Sequence, residues 1–129
     1  MKKLKITLTL LIVSLAVEAQ VTIENLLSAP FPSGLVASAD GNKIAWIFND
    51  KGSRNIYVAD APAFTERKIT AFQGDDGQEI SSLSFTPNGK ALVFVRGGAP
   101  NGRGEIPNPV ALQTDLDRAL WLINVDGTG

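Results

Sequence analysis

The chain contains neither cysteine nor histidine, and its charges almost cancel, with 12 Lys and Arg against 13 Asp and Glu. Without cysteine, nothing covalent staples the fold and no lipid can be attached through a thiol. Without histidine, no Ser-His pair can form. The Gly-x-Ser-x-Gly elbow that holds a hydrolase nucleophile is missing too. A net charge of −1 leaves neither a nucleic-acid footprint nor a polybasic membrane patch. Nucleic acid is therefore not an expected partner, no membrane is expected once the leader is removed, and no cofactor or metal is expected.

The leader is the first positive feature. Lys2, Lys3 and Lys5 precede an apolar run over residues 6–17, and Val17 and Ala19 sit three and one residues before a cut that would expose Gln20. The run is shorter than the roughly 20 residues that span a bilayer. Residues 1–19 therefore read as a signal peptide, with an uncleaved anchor as the alternative, and the mature protein is expected to be secreted or periplasmic. About 110 mildly acidic residues follow, enough for one small domain.

Internal repetition is the most informative property of those residues. The stretch from Leu35 through Asp40-Gly41 to Ile44 and Trp46 matches the stretch from Leu83 through Asn88-Gly89 to Leu92 and Phe94. The offset is about 48 positions, a propeller-blade length. Ile56-Tyr57-Val58-Ala59-Asp60 likewise matches Leu120-Trp121-Leu122-Ile123-Asn124, after a longer loop in the second unit. Each unit reads as strand, tight turn, strand, loop, strand, turn, strand. The Asp-Gly and Asn-Gly turns read as two-residue hairpins with both central residues at positive φ. The second strands, residues 44–48 and 91–95, are apolar almost throughout, as expected of strands buried on both faces. The third strands fall at residues 55–60 and 119–125, and a fourth is visible once, around residues 67–70.

The expected fold is all-β: a partial β-propeller of about two four-stranded blades, the second incomplete, behind a signal peptide. Residues 20–34 form a lead segment, in which 22–28 can make one helical turn capped by Thr22 before Pro30 and Pro32 break it. The preferred reading of this segment is a plain lead-in lying over one face of the ring. Residues 35–80 form the first blade and connector, and 81–129 a second blade that stops before its fourth strand. A propeller closes with about four to eight blades, so the chain reads as a fragment.

With these repeats in view, the chain resembles the exported members of the prolyl oligopeptidase family of serine peptidases. Leu120-Trp121-Leu122-Ile123-Asn124-Val125-Asp126-Gly127 is similar to that family's Trp-Val-Val-Asp-x-Asp-Gly strand and turn. Thr86-Pro87-Asn88-Gly89-Lys90 is similar to its recurring Ser-Pro-Asp-Gly-Lys turn. Arg96-Gly97-Gly98, with Pro107-Asn108-Pro109 further on, resembles a loop insertion of some members. Ser38-Ala39-Asp40-Gly41 departs from the pattern by lacking the proline before Asp-Gly. The resemblance implies a propeller that restricts peptide access to an α/β-hydrolase domain, which would lie C-terminal to this chain and carry the Ser, Asp and His. Peptide substrate would be met through the full-length protein.

The loop over residues 96–118, the connector 71–80 and the short loop 49–54 are expected on one face of the ring, with the Asp-Gly and Asn-Gly turns on the other. Loops carry function more often than scaffold strands do, and Arg103 and Glu105 are the candidate substrate contacts, set to pair with peptide termini. A solvated loop is the competing reading. Gly97-Gly98 and Gly102-x-Gly104 lack the strand-helix context of a phosphate cradle and read as flexible loop. Asp75-Asp76-Gly77-x-Glu79 lacks the spacing of an EF-hand. Trp46, Tyr57, Phe94 and Trp121 read as packing aromatics. No catalytic residue is assigned. The rival from another class is a periplasmic TolB-like propeller that binds proteins. Such proteins place a separate domain between signal and propeller, for which the lead segment is too short.

Overall fold

The computed structural model of the protein describes residues 22–108 and 117–129. The signal peptide reading, Gln20 and Pro109 lie outside the described residues. Thr22 caps a single helical turn, α1 (Ile23–Leu27), by accepting the Asn25 N–H at 3.1 Å. Its apolar side chains stay exposed, Leu27 at 79%. The capped helical turn expected at 22–28 is therefore present, and Phe31 to Gly34 of the lead segment belong to the first strand.

Seven strands follow among the described residues: β1 (Phe31–Ala37), β2 (Lys43–Asp50), β3 (Ser53–Asp60), β4 (Thr65–Lys68), β5 (Ile80–Phe85), β6 (Ala91–Arg96) and β7 (Ala119–Asn124). They form two antiparallel meanders, β1-β2-β3-β4 and β5-β6-β7, and neither sheet closes on itself. No helix among the described residues is long and apolar enough to cross a membrane.

The first strand begins at Phe31, four residues before the point expected from the repeat. Pro32 is tolerated because β1 is an edge strand, where a missing N–H breaks no ladder. Gly34, at φ 61, takes up a bulge between Ser33 and Val36. The same irregularity recurs in β5 between Ser81 and Ser84, where Ser82 stands at φ 54. Gly34 and Ser82 are repeat equivalents, so both units bend their first strand at the same place.

The turn types also differ from expectation. Asp40-Gly41 and Asn88-Gly89 are not two-residue hairpins, since only the glycines reach positive φ, 71 and 65. Each belongs to a five-residue loop built on a tight turn: Ser38 accepts from the Gly41 N–H, and Thr86 from the Gly89 N–H, both at 2.9 Å. Ser38 and Thr86 hydroxyls anchor these loops, each also accepting the N–H of the residue that closes the loop. The two-residue hairpin occurs instead at Lys51-Gly52, with φ 50 and 91, where Asn49 Oδ1 receives the Gly52 N–H at 2.8 Å.

One apolar core lies between the two sheets. Ala45, Ile47, Ile56 and Val58 of the first face Leu83, Leu92 and Phe94 of the second, with Ile69 and Ile80 closing the sides. Ile56 and Leu92 are wholly buried, and each such side chain contributes about 1.5–3 kcal/mol relative to exposure. β1 and β5 run beside one another. Burial on both faces, expected for β2 and β6, is not what is found. Along β2, Ala45 and Ile47 are buried while Ile44, Trp46 and Phe48 remain half-exposed on the other face. The reason is that each sheet has only one sheet to pack against.

Candidate functional site

The two ends of the stack carry different chemistry. At one end, the Lys51-Gly52 turn, the connector 69–79 and the start of the 97–118 loop come together. Arg54 donates to the Gly52 carbonyl at 2.9 Å and pairs with Asp75 at 3.5 Å. Arg96 pairs with Asp76, and its guanidinium lies 4.2 Å from the centre of the Phe72 ring. Trp121 meets Phe72 edge-on at 5.9 Å and stacks on Phe94 at 6.2 Å. Beneath them the buried Asn55 amide oxygen accepts from the Thr70 hydroxyl and the Phe72 N–H, both at 2.9 Å. Its nitrogen donates to the Phe72 carbonyl at 3.0 Å. Asp75 and Asp76 thus point at two different arginines. No group of three metal-ligating side chains forms among the described residues, so the acidic connector is occupied by ion pairs of its own.

Arg103 and Glu105 lie further out on the same loop, and both are exposed. The loop tip is a local turn organised by Asn101, whose side-chain oxygen accepts the N–H groups of Arg103 at 2.8 Å and Glu105 at 3.1 Å. The Glu105 carboxylate receives the Asn101 side-chain amide at 2.7 Å. Glu105 is engaged by its own turn. Gly97 and Gly98 have a packing reason for being glycine. At Gly97, φ is 115 and a Cβ would stand 2.8 Å from the Arg118 Cα, while at Gly98 a Cβ would meet the Pro107 ring at 3.0 Å. The two arms of the loop cross there, and both glycines are buried.

At the opposite end, the turns at Asp40 and Asn88 stand side by side, with Gly89 against Ser38, as the alternation of strand direction requires. Asp40 Oδ1 accepts from the Ser38 hydroxyl and the Asn42 N–H. These two bonds, the hydroxyl foremost, hold its carboxyl down at about 2. Asp126 repeats the device with Thr128, whose hydroxyl and N–H lower its pKa. On the flank, Asp60 takes Arg67 at 2.8 Å and Lys43 at 3.1 Å. The hydrogen bond from Arg67, followed by that from Lys43, keeps the Asp60 carboxyl below its ordinary value. Arg67 also donates to the Val125 carbonyl, clamping the first sheet to the end of the second.

The feature that the residue pattern concealed is the open face of the first sheet. Pro32, Ser33, Gly34, Leu35, Ile44 and Trp46 line a shallow apolar groove of about 430 Å³. Trp46, Phe48 and Tyr57 beside it touch ring to ring, Phe48 and Tyr57 at 5.0 Å between centres. The second sheet leaves an apolar face of its own, with Leu120 at 74% and Leu122 at 61% exposure. The chemistry available in the described residues is that of apolar sheet faces and satisfied surface ion pairs, with no nucleophile and base brought together. Compared with known proteins, the chain matches no family model, no curated protein and no solved structure.

Proposed function

We propose that the two sheets are consecutive blades of a β-propeller that forms the non-catalytic part of an exported serine peptidase of the prolyl oligopeptidase type. Its role there is to restrict peptide access to an α/β-hydrolase domain and to support that domain. The observation that carries the blade reading is the stacking itself. Two antiparallel meanders lie face to face with their first strands β1 and β5 adjacent, bulged at equivalent residues, and each leaves its outer face apolar and open. The peptidase reading is supported by the sequence resemblance over Thr86–Lys90 and Leu120–Gly127. Without histidine, this chain supplies no Ser-His pair of its own.

The test is to read the coding sequence past Gly129 and label the products with a fluorophosphonate. A Gly-x-Ser-x-Gly followed by Asp and His is expected, with the full-length protein labelled and this chain unlabelled. About six blades followed by a stop codon, with no hydrolase segment, would sink the peptidase reading and favour the protein-binding propeller.

A further inference from the structure

Pro87-Asn88-Gly89-Lys90 and Pro100-Asn101-Gly102-Arg103 are nearly the same four residues, yet the fold sets them in different turns. An Asn-Gly bond is chemically labile, because glycine lets its backbone nitrogen approach the asparagine side-chain carbonyl carbon with no Cβ in the way. At Asn88 that nitrogen is tied down. Gly89 closes the turn that begins at Thr86, and its N–H donates to the Thr86 carbonyl at 2.9 Å. At Asn101 the frame is shifted. Asn101 opens its turn, the closing bond runs from the Gly104 N–H to the Asn101 carbonyl at 2.9 Å, and the Gly102 N–H lies outside that bond. Both amide oxygens are well supplied. Asn88 Oδ1 accepts the Lys90 N–H at 3.0 Å and lies 2.8 Å from the Thr86 hydroxyl. Asn101 Oδ1 accepts the N–H groups of Arg103 and Glu105. Such donors stabilise the charge that collects on the oxygen when its carbon is attacked. Asn101 adds a carboxylate at the other end of the amide, where Nδ2 donates to Glu105 Oε2 at 2.7 Å. Nδ2 is the atom that must leave, and a neighbour able to carry a proton assists its departure.

We propose that Asn101 is a self-modifying site, converted through a cyclic imide to aspartate and isoaspartate with Glu105 relaying the proton, while the fold spares the same dipeptide at Asn88. In the step, the Gly102 nitrogen loses its proton and bonds to Asn101 Cγ. The Cγ–Nδ2 bond breaks, and Nδ2 leaves as ammonia with the proton that Glu105 has passed on. Water then opens the imide at either of its carbonyls. The product sets a carboxylate where an amide donor faced Glu105, so attraction turns to repulsion and the loop tip loses an anchor. The site stands whether or not the chain belongs to a peptidase, since every contact it uses lies between residues 101 and 105.

The full chain, incubated in mildly alkaline buffer with and without concentrated urea, tests this by brief tryptic digestion and mass spectrometry. The two asparagines fall in separate tryptic peptides, residues 97–103 and 69–90, so each conversion is read on its own. In buffer, Asn101 should convert at least about tenfold faster than Asn88, whose attacking nitrogen must first break its hydrogen bond. In urea the two sites, with matching neighbours, should react alike. Glu105→Gln keeps an acceptor for Nδ2 but cannot relay a proton, and should slow Asn101 at least about tenfold. The Asn88 rate in that variant should stay at the wild-type value, which also reports that the fold is kept. Equal rates at the two sites in buffer, a preference for Asn101 that survives urea, or a Glu105→Gln rate equal to that of the wild type would each overturn the proposal.

Discussion

Ile56 and Leu120 occupy the same place in the two repeats, and the structure assigns them opposite environments. Ile56 is wholly buried between the sheets, whereas Leu120 is 74% exposed. Truncating Ile56 to alanine removes apolar contacts and leaves a cavity that its neighbours Ile47 and Val58 can only partly fill. The expected loss is about 2–5 kcal/mol, a large fraction of the roughly 5–15 kcal/mol that holds a domain folded. The same truncation at Leu120 removes a side chain that water already surrounds, and should change stability by no more than about 0.5 kcal/mol. Urea denaturation followed by the fluorescence of Trp46 and Trp121, at concentrations where the chain is monomeric, measures both. With a slope of about 1.5 kcal/mol per molar, a loss of about 3 kcal/mol moves the midpoint down by roughly 2 M. Ile56→Val, expected at about 0.5–1.5 kcal/mol, gives a gentler reading. Equal losses at Ile56 and Leu120 would refute the assignment of one covered and one open face to each sheet.

Five further outcomes are expected. Ser82 holds positive φ inside the β5 bulge where its repeat partner is glycine, so Ser82→Gly should raise stability by about 1 kcal/mol in the same urea assay. Gly97→Ala should cost about 1–3 kcal/mol, because its φ of 115 and the nearby Arg118 backbone both resist a Cβ. Gly102→Ala, with open space around it, should be close to neutral by thermal melt. A proton NMR titration should find Asp40 ionising near 2 and, in Ser38→Ala, moving up towards 3.8, since the lost hydroxyl bond favoured the charged form. Amino-terminal sequencing of the exported product should begin at Gln20; a product still beginning at Met1 would show that the leader is retained.

The middle strands of each unit were legible because apolar runs and repeat spacing coincide there, as at Trp46 against Phe94. The start of β1 was not, since Pro30-Phe31-Pro32-Ser33-Gly34 has the composition of a break. An edge position and a bulge remove the cost that composition implies. Asp40-Gly41 was read as a two-residue hairpin because the dipeptide alone suits one. The hydroxyl two residues before each acid or amide, Ser38 and Thr86, was the signal that a longer loop is anchored there. Burial of β2 on both faces failed for a reason no single strand can reveal, namely how many sheets lie alongside it. For Arg103 and Glu105 the local pattern was silent, and Asn101 turned out to organise their backbone. The groove by Trp46 leaves no mark in the residue pattern because it exists only where a neighbouring sheet does not.

That, among the described residues, no strand of the first meander pairs with a strand of the second has a bearing on how such a chain can change over generations. The two units are joined by packed side chains, by the Arg67 clamp and by a connector, but not by a shared hydrogen-bonded ladder. Tandem duplication of a unit at that connector would lengthen the column without tearing any backbone pairing. Deletion of one would shorten it as cleanly. Module number is then free to drift, and only the match between successive apolar surfaces restrains it.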